Sequence, residues 1–131
     1  MRSSNPRAVK RPAAKTHRDL IAWKVSMELV AETYRIALRL PAFERYGLTS
    51  QLRRAAVSLP TNIAEGFGRG SRPEFRRFLS IAEGSLRELQ TLIDLVILLE
   101  YLSAARLKPA INLSDRVGFL LHRLKKSVAA P

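Results

Sequence analysis

Residues 48–69 read LTSQLRRAAVSLPTNIAEGFGR, and this stretch decides the fold. Apolar residues recur in it every three or four positions, which predicts a helix with one buried stripe. The stripe consists of Leu48, Leu52, Ala55, Leu59, Ile63 and Gly66. Such a helix must bury its stripe against other helices, and the rest of the chain contains three segments with a matching apolar rhythm.

The opposite side of this helix carries a polar row, formed by Arg54, Ser58, Asn62 and Glu65. Pro60 lies in mid-helix, where it removes a backbone hydrogen bond to the Ala56 carbonyl at a cost of ~3 kcal/mol. We therefore expect a kink or a break at Pro60, with Asn62 satisfying the freed carbonyl. Arg54 and Glu65 are expected to meet partners on adjacent helices. A structural role for the row is preferred to a binding role.

A first helix is predicted to begin at Asp19, as its N-cap or in its first turn, and to end at Pro41. Its seam is Leu20, Trp23, Met27, Val30, Tyr34 and Ala37. A second apolar set lies beside that seam, namely Ile21, Val25, Leu29, Ile36 and Leu38. This apolar arc is wider than one neighbouring helix needs, so we expect the first helix to contact two partners or an oligomer interface.

A third helix is predicted to follow the glycine-rich segment at 66–70, with Ser71 and Glu74 forming a capping box. Its seam is Phe75, Phe78, Ala82, Ser85, Leu89, Leu92, Val96 and Leu99. Glu83 and Arg87 are correctly spaced for an ion pair on the solvated face. Gly84 weakens the helix, so we expect it to allow a neighbouring backbone to approach closely.

The fourth helix is predicted in two parts, because Pro109 lies too deep for a first turn that Ser103 would cap. We expect a short turn over 104–108 and a main helix over about 109–127. The stripe of this helix is Ala110, Leu113, Val117, Leu120, Leu124 and Val128. No segment alternates with period two, so no strand is predicted. The fold class is therefore all-α, an up-down-up-down antiparallel four-helix bundle.

The chain has 131 residues, enough for one hydrophobic core, and a formal net charge of +12. Six basic residues precede Asp19, which divides the chain into a disordered basic tail over 1–18 and a bundle domain over 19–131. This charge favours polyanionic partners, with nucleic acid before an anionic membrane surface. The alternative is a soluble protein without a polyanionic partner.

The residues available for chemistry do not suggest an enzyme. The chain has no cysteine and only two histidines, of which His17 lies in the tail and His122 is expected at the surface. Neither a cofactor nor a metal site is predicted, and the segment GFGRGS at 66–71 lacks the P-loop pattern. The absence of cysteine, of a secretory leader and of a membrane-length apolar run indicates a cytoplasmic protein.

Basic residues gather where the second helix meets the third. Arg69, Arg72, Arg76 and Arg77 form this basic corner, and Arg53 is expected to extend it. Arginines grouped in this way can hold phosphates through paired hydrogen bonds, and the neighbouring glycines let a backbone approach. No base-reading motif is present, so binding of RNA or single-stranded DNA is expected to be independent of sequence and sensitive to salt. The alternative is a solvated corner without a ligand.

Two segments of the chain resemble a known family. They are DLIAWKVSMELVAETYRIALRLP and YGLTSQLRRAAVSLPTNIAEGFGRGSRPEFRRFLSIAEGSLRELQT. They are similar to the bacterial four-helix-bundle proteins encoded in intervening sequences of large-subunit ribosomal RNA genes, and to the accessory variability determinant proteins of diversity-generating retroelements. The resemblance covers roughly residues 19–127. The residues that match the family pattern are Trp23, Gln51, Arg54, Ser58, Pro60, Asn62, Glu65 and Gly66, and we interpret them as architectural.

The resemblance implies a ring-shaped homopentamer. For the retroelement relatives it also implies binding of nucleic acid and of a reverse transcriptase. Two hypotheses follow for this chain. The first is a non-catalytic, homo-oligomeric bundle that binds RNA or single-stranded DNA through its basic surface. The second is a protein-interaction scaffold, such as an accessory subunit of a reverse transcriptase, without a direct role in nucleic-acid binding.

Overall fold

A computed structural model of the protein describes residues 13–129. Within these residues the chain forms four α-helices: α1 (Ile21–Ala37), α2 (Leu48–Gly68), α3 (Arg72–Leu98) and α4 (Ala104–Ala129). Two short 3₁₀ turns, His17–Asp19 and Ala42–Glu44, precede α1 and α2. No strand occurs among residues 13–129, so the predicted all-α four-helix bundle is confirmed.

Each helix packs against two others, in the cyclic order α1, α2, α3, α4. Ser58 of α2 hydrogen-bonds to Ser85 of α3, and Gly66 farther along α2 lies against Phe78 nearer the start of α3. The two helices therefore run antiparallel. The links between successive helices are short, as the predicted bundle order requires.

The core lies between the four helices and is filled mainly by branched aliphatic side chains. Side chains without solvent exposure come from every helix, and they include Leu29, Leu52, Leu59, Ile63, Leu79, Leu89, Val96, Leu107, Val117 and Leu121. Burial of this apolar area is the main force that holds the bundle together. No helix within residues 13–129 combines the length and the apolar character that a membrane span requires.

The predicted seam of α1 is wrong in part. Ala37 is buried and Leu20, Trp23 and Val30 are half-buried against the core, but they do not form the centre of the buried face. The buried face of this helix is formed by Ala22, Val25, Ser26, Leu29, Thr33, Ile36 and Ala37. Two polar residues belong to it because the Ser26 hydroxyl donates to the Ala22 carbonyl and the Thr33 hydroxyl donates to the Leu29 carbonyl, each at 2.7 Å. A hydroxyl that is satisfied within its own helix can be buried at little cost. The expected seam residues Met27 and Tyr34 are instead 45% and 40% exposed.

The start of α1 also differs from the prediction. Residues 1–12 of the expected tail over 1–18 lie outside the described residues. Closer to the helix, Thr16 caps the turn His17–Asp19, and the Asp19 carboxylate accepts hydrogen bonds from the backbone N–H groups of Lys15 and Thr16. These bonds lower the pKa of Asp19, the bond from Thr16 most. Asp19 is therefore not the cap of α1, whose N-cap position is Leu20.

Neither mid-helix proline divides its helix. α2 continues through Pro60, and Asn62 donates to the Ser58 carbonyl at 2.8 Å rather than to the carbonyl that Pro60 leaves free, so that expectation is wrong. α4 begins at Ala104 and continues through Pro109, so the expected division into a turn over 104–108 and a helix over 109–127 is also wrong.

The first turns of α4 are stable because their side chains are well packed and the N-terminus of the helix is capped. Leu107 and Ala110, on either side of Pro109, have no exposed surface, whereas the proline ring faces solvent. Ser103 caps the helix as predicted, and its hydroxyl accepts from the Arg106 N–H at 3.2 Å. Tertiary packing thus offsets the cost of the proline. The buried stripe of α4 is Leu107, Ala110, Ser114, Val117 and Leu121, and the expected Leu113 and Leu120 are half-buried.

Candidate nucleic-acid interface

The basic corner is built on a tight connection between α2 and α3. Gly70 adopts a φ of +83°, a conformation that a glycine takes without steric strain. Ser71 then caps α3, and its hydroxyl accepts from the Glu74 N–H at 3.3 Å. Two residues before the end of α2, a Cβ atom at Gly66 would lie 2.6 Å from the Phe78 Cβ. The glycine therefore allows the two helices to cross closely just beneath the corner.

Two of the corner arginines share one aromatic ring. The Arg69 and Arg77 guanidinium carbons lie 5.0 Å and 4.6 Å from the centre of the Phe78 ring. Each of these arginines also forms an ion pair on its own helix, Arg69 with Glu65 at 2.9 Å and Arg77 with Glu74 at 3.0 Å. These contacts orient both guanidinium groups and offset part of their charge.

The Arg77 pair is reflected in the titration of both partners. The hydrogen bond from Arg77 holds the pKa of Glu74 below its usual range, and the same bond raises the pKa of Arg77. Glu74 therefore stays ionised and paired with Arg77. It does not reach back to complete the predicted capping box, of which only the Ser71 half forms.

Arg53 is not part of the corner. It precedes Arg69 by 16 residues, or about 24 Å along α2. Its guanidinium lies 5.3 Å from the centre of the Tyr34 ring on α1. The Arg53 Nε atom is buried and has no hydrogen-bond partner among the described residues. Arg72 and Arg76 are exposed at the start of α3, so the structure brings together four of the five predicted arginines.

The polar row on α2 joins two helices through Ser58. Its hydroxyl lies 2.7 Å from the Ser85 hydroxyl on α3 and accepts from the Asn62 amide at 2.8 Å. Glu65 pairs with Arg69 on its own helix rather than on a neighbour, so that expectation is wrong. Arg54 is exposed.

Of the other residues that match the family pattern, Trp23 is half-buried and its ring packs edge-on against His17, with a centroid distance of 5.1 Å. Gln51 is exposed.

An apolar groove follows α1 and α2 on the outside of the bundle. It consists of two adjoining depressions of about 370 and 510 Å³ that share Val57 and Thr61. We call it the α1–α2 groove, and its lining comprises Trp23, Met27, Val30, Tyr34, Arg53, Arg54, Val57, Ser58, Pro60, Thr61, Asn62 and Ala64. The wide apolar arc predicted for α1 thus has a physical counterpart, although the exposed residues are those assigned to the seam.

A second, charged depression of about 340 Å³ lies between α3 and α4. We call it the α3–α4 cleft, and its lining residues are Arg76, Glu83, His122, Lys125 and Lys126. The Lys125 ammonium pairs with the Glu83 carboxylate at 3.0 Å, so the predicted pair between Glu83 and Arg87 is wrong.

Sequence reasoning did not identify this cleft, because Lys125 and Glu83 are 42 residues apart. The available signal was the spacing of His122, Lys125 and Lys126, which puts all three on one side of a helix.

Gly84 was expected to admit a close neighbour, and this expectation is also wrong. A Cβ atom at Gly84 would have no atom within 4 Å, because this position is exposed on the outside of α3. Among residues 13–129 no group of three or more potential ligands is arranged to hold a metal ion.

A family model described as 23S rRNA-intervening sequence protein matches residues 18–123. Among solved structures, the chain is similar to a protein of unknown function from the S23 ribosomal protein family of Bacteroides thetaiotaomicron VPI-5482. That similarity has a TM-score of 0.74 and 24% identity, covers 81% of this chain and 99% of the other, and concerns the fold. No curated protein matches the chain.

Proposed function

This chain belongs to the 23S rRNA-intervening sequence protein family, and we propose that it is a non-catalytic, homo-oligomeric bundle that binds single-stranded nucleic acid. The ligand is RNA or single-stranded DNA, held through its phosphates without recognition of base sequence. The observation that carries the proposal is the basic corner, where four arginines from the end of α2 and the start of α3 surround a connection of small residues.

The corner has features that suit a phosphate backbone. Guanidinium groups bind phosphate oxygens through two parallel hydrogen bonds, and Arg69 and Arg77 are already oriented by their contacts with Phe78. The whole chain carries a net charge of +12, which attracts a polyanion from a distance. Neither feature distinguishes one base from another, so the affinity is expected to depend on salt far more than on sequence.

The α1–α2 groove supports the homo-oligomeric part of the proposal. Met27, Tyr34 and Val57 expose between 40% and 45% of their surface there, which is costly for a monomer. We propose a second copy of this chain as the occupant, in agreement with the homopentamer that the family resemblance implies. Five chains of 14.7 kDa would have a mass of about 74 kDa.

The same groove favours the second candidate function, a scaffold that recruits another protein such as a reverse transcriptase. The two candidates differ in what occupies the groove and in whether nucleic acid binds at all. Light scattering of the purified chain separates them: a mass near that of the monomer across the micromolar range would leave the groove free for a different protein and would contradict the homo-oligomer.

Fluorescence anisotropy with a labelled, unstructured oligoribonucleotide tests nucleic-acid binding. We expect binding at low salt that weakens steeply between about 50 and 200 mM salt, and that changes little when the base sequence is permuted. The double variant R69Q/R77Q should bind more weakly than R35Q/R39Q. The control variant removes the same charge at the other end of the bundle, where α1 ends. Absence of binding at low salt would refute the proposed function.

A further inference from the structure

We propose that the α3–α4 cleft is a phosphate-binding subsite that continues the basic corner, and that Glu83 limits its affinity by occupying Lys125. The inference rests on the proposed function, because it names where a bound strand leaves the corner. The cleft and the corner share Arg76, so a strand that contacts the corner arginines can continue along α3 into the cleft.

The charge inside the cleft favours an anion. Arg76, Lys125 and Lys126 are cations opposed by one carboxylate, Glu83, so the lining carries a formal charge of +2 with His122 neutral. Arg76 and Lys126 form no ion pair with any other described residue, in contrast to Arg69 and Arg77. The cleft therefore presents two cations, Arg76 and Lys126, that are not paired with a carboxylate. In the adjoining corner, by contrast, Arg69 and Arg77 are paired.

The geometry of the cleft also suits a single phosphate. Its volume of about 340 Å³ is large enough to admit a phosphodiester group. It is walled by two helices that the bundle core holds rigidly.

Glu83 has two effects on a phosphate in this cleft. It positions Lys125 through their ion pair. The Glu83 side chain is only 19% exposed and the Lys125 side chain 31%. Its carboxylate also repels the phosphate and competes for the ammonium protons. Of the ion pairs between described residues, this is the one that joins two helices, so it links the two walls of the cleft.

A rival basic depression of about 350 Å³ lies between α1 and α4 and provides a matched control. It is lined by Glu32, Arg35, Ile36, Arg39, Leu102 and Arg106, of which Arg35 is paired with Glu32. Arg106 is about 30 Å from Lys126 along α4, so the two sites are distinct. This depression does not adjoin the basic corner. We therefore assign the phosphate to the α3–α4 cleft.

The test compares R76Q/K126Q with R39Q/R106Q in the anisotropy assay. Both variants remove two exposed cations, so their net charges are equal. Each phosphate contact of a single strand contributes about 0.7 to the slope of log affinity against log salt, or about 5-fold in affinity at 0.1 M salt. We expect R76Q/K126Q to bind about 25-fold more weakly than the wild type and to lose about 1.4 from the slope, and R39Q/R106Q to change by less than about 3-fold.

Removal of the carboxylate gives the opposite result. E83Q should bind the oligoribonucleotide about 5-fold more tightly, because Lys125 becomes available as one more phosphate contact. E28Q, which removes an exposed carboxylate from α1, should leave binding within about 2-fold. Circular dichroism confirms that each variant is folded, and none of the substituted side chains in the two double variants is buried.

The outcomes separate this inference from the proposed function. If the wild-type protein binds and R39Q/R106Q loses as much affinity as R76Q/K126Q, the cleft is not the subsite and general charge explains the binding. If R76Q alone loses as much affinity as R76Q/K126Q, the loss belongs to the basic corner, and the inference is likewise overturned. If polyglutamate competes for the cleft as well as an unlabelled oligoribonucleotide does, the site is one for an acidic protein, and the inference is overturned. If the wild-type protein does not bind at all, the proposed function itself has failed.

Discussion

Replacement of Gly66 by alanine tests how closely α2 and α3 cross. An alanine Cβ would lie 2.6 Å from the Phe78 Cβ and 3.2 Å from a ring carbon of Phe75. Ordinary contacts between such atoms begin at 3.4 Å, so the helices must separate locally by about 0.8 Å. The Phe78 Cβ is fixed to the backbone and cannot rotate away, so the strain falls on the helix crossing itself.

The magnitude follows from two opposing effects. Overpacking of this kind costs ~1–3 kcal/mol, and the close approach of a Cβ indicates the upper half of that range. Alanine in place of glycine within a helix contributes ~1 kcal/mol of stability. The net expectation is a loss of ~1–2 kcal/mol in the free energy of unfolding, or a decrease of ~4–8 °C in Tm.

Gly84 in α3 supplies the matched control. The same substitution there meets no atom within 4 Å, so only the gain in helix propensity remains and G84A should be more stable than the wild type by ~0.5–1 kcal/mol. Urea denaturation of both variants measures the difference, which should reach ~1.5–3 kcal/mol. A G66A variant as stable as the wild type would refute the close crossing.

Two further predictions concern polar contacts between elements. S58A and S85A should each cost ~1 kcal/mol, and the double variant should cost less than their sum by ~0.5–1 kcal/mol, because the hydroxyls lie 2.7 Å apart; additive losses in a double-mutant cycle would show that they do not interact. The pKa of Glu44 is lowered by hydrogen bonds from the Leu48 N–H first and the Tyr101 hydroxyl second. The stability that this carboxylate contributes is therefore present at neutral pH and lost as the pH falls below 4.5 through its lowered pKa, and E44Q should remove that pH dependence from urea denaturation curves.

The sequence predicted the number and order of the helices because their apolar spacing is regular over many turns. For α3, seven of the eight predicted seam positions, from Phe75 to Val96, are buried or half-buried as expected, and Leu99 is exposed. The seam of α1 was partly wrong because apolar spacing treats Ser26 and Thr33 as solvent-facing. Their hydroxyls bond to carbonyls one turn earlier, and such a bond satisfies a polar group without a partner on another helix.

The prolines show a second limit of local reasoning. Pro109 was expected to divide α4, since a proline deep in a helix costs ~3 kcal/mol. That cost is local, whereas the compensation comes from Leu107 and Ala110, which are completely buried against the other helices. The amount of packing around a residue depends on the tertiary structure, so it cannot be inferred from the residues that neighbour Pro109 in the sequence.

The basic corner was predictable because its four arginines are close in sequence, but the partners of these arginines were not. Arg69 and Arg77 meet the same Phe78 ring only because Gly66 allows α2 to lie close to α3. The α3–α4 cleft required the pairing of two helices whose facing residues are more than 40 positions apart. Electrostatic sites between helices thus depend on the register of the bundle, which apolar spacing alone does not specify.

The two surfaces that carry the proposals share no helix. The α1–α2 groove and the α3–α4 cleft lie on opposite sides of a bundle whose helices pack in cyclic order. The copy that occupies the groove would therefore not itself cover the cleft or the adjoining corner of that chain. An oligomer built in this way would present several copies of the basic surface to one strand. Linked sites raise the overall affinity well above that of each site alone. Substitutions in the groove that yield folded monomers should then weaken binding of long oligoribonucleotides far more than binding of short ones, although they alter no phosphate contact.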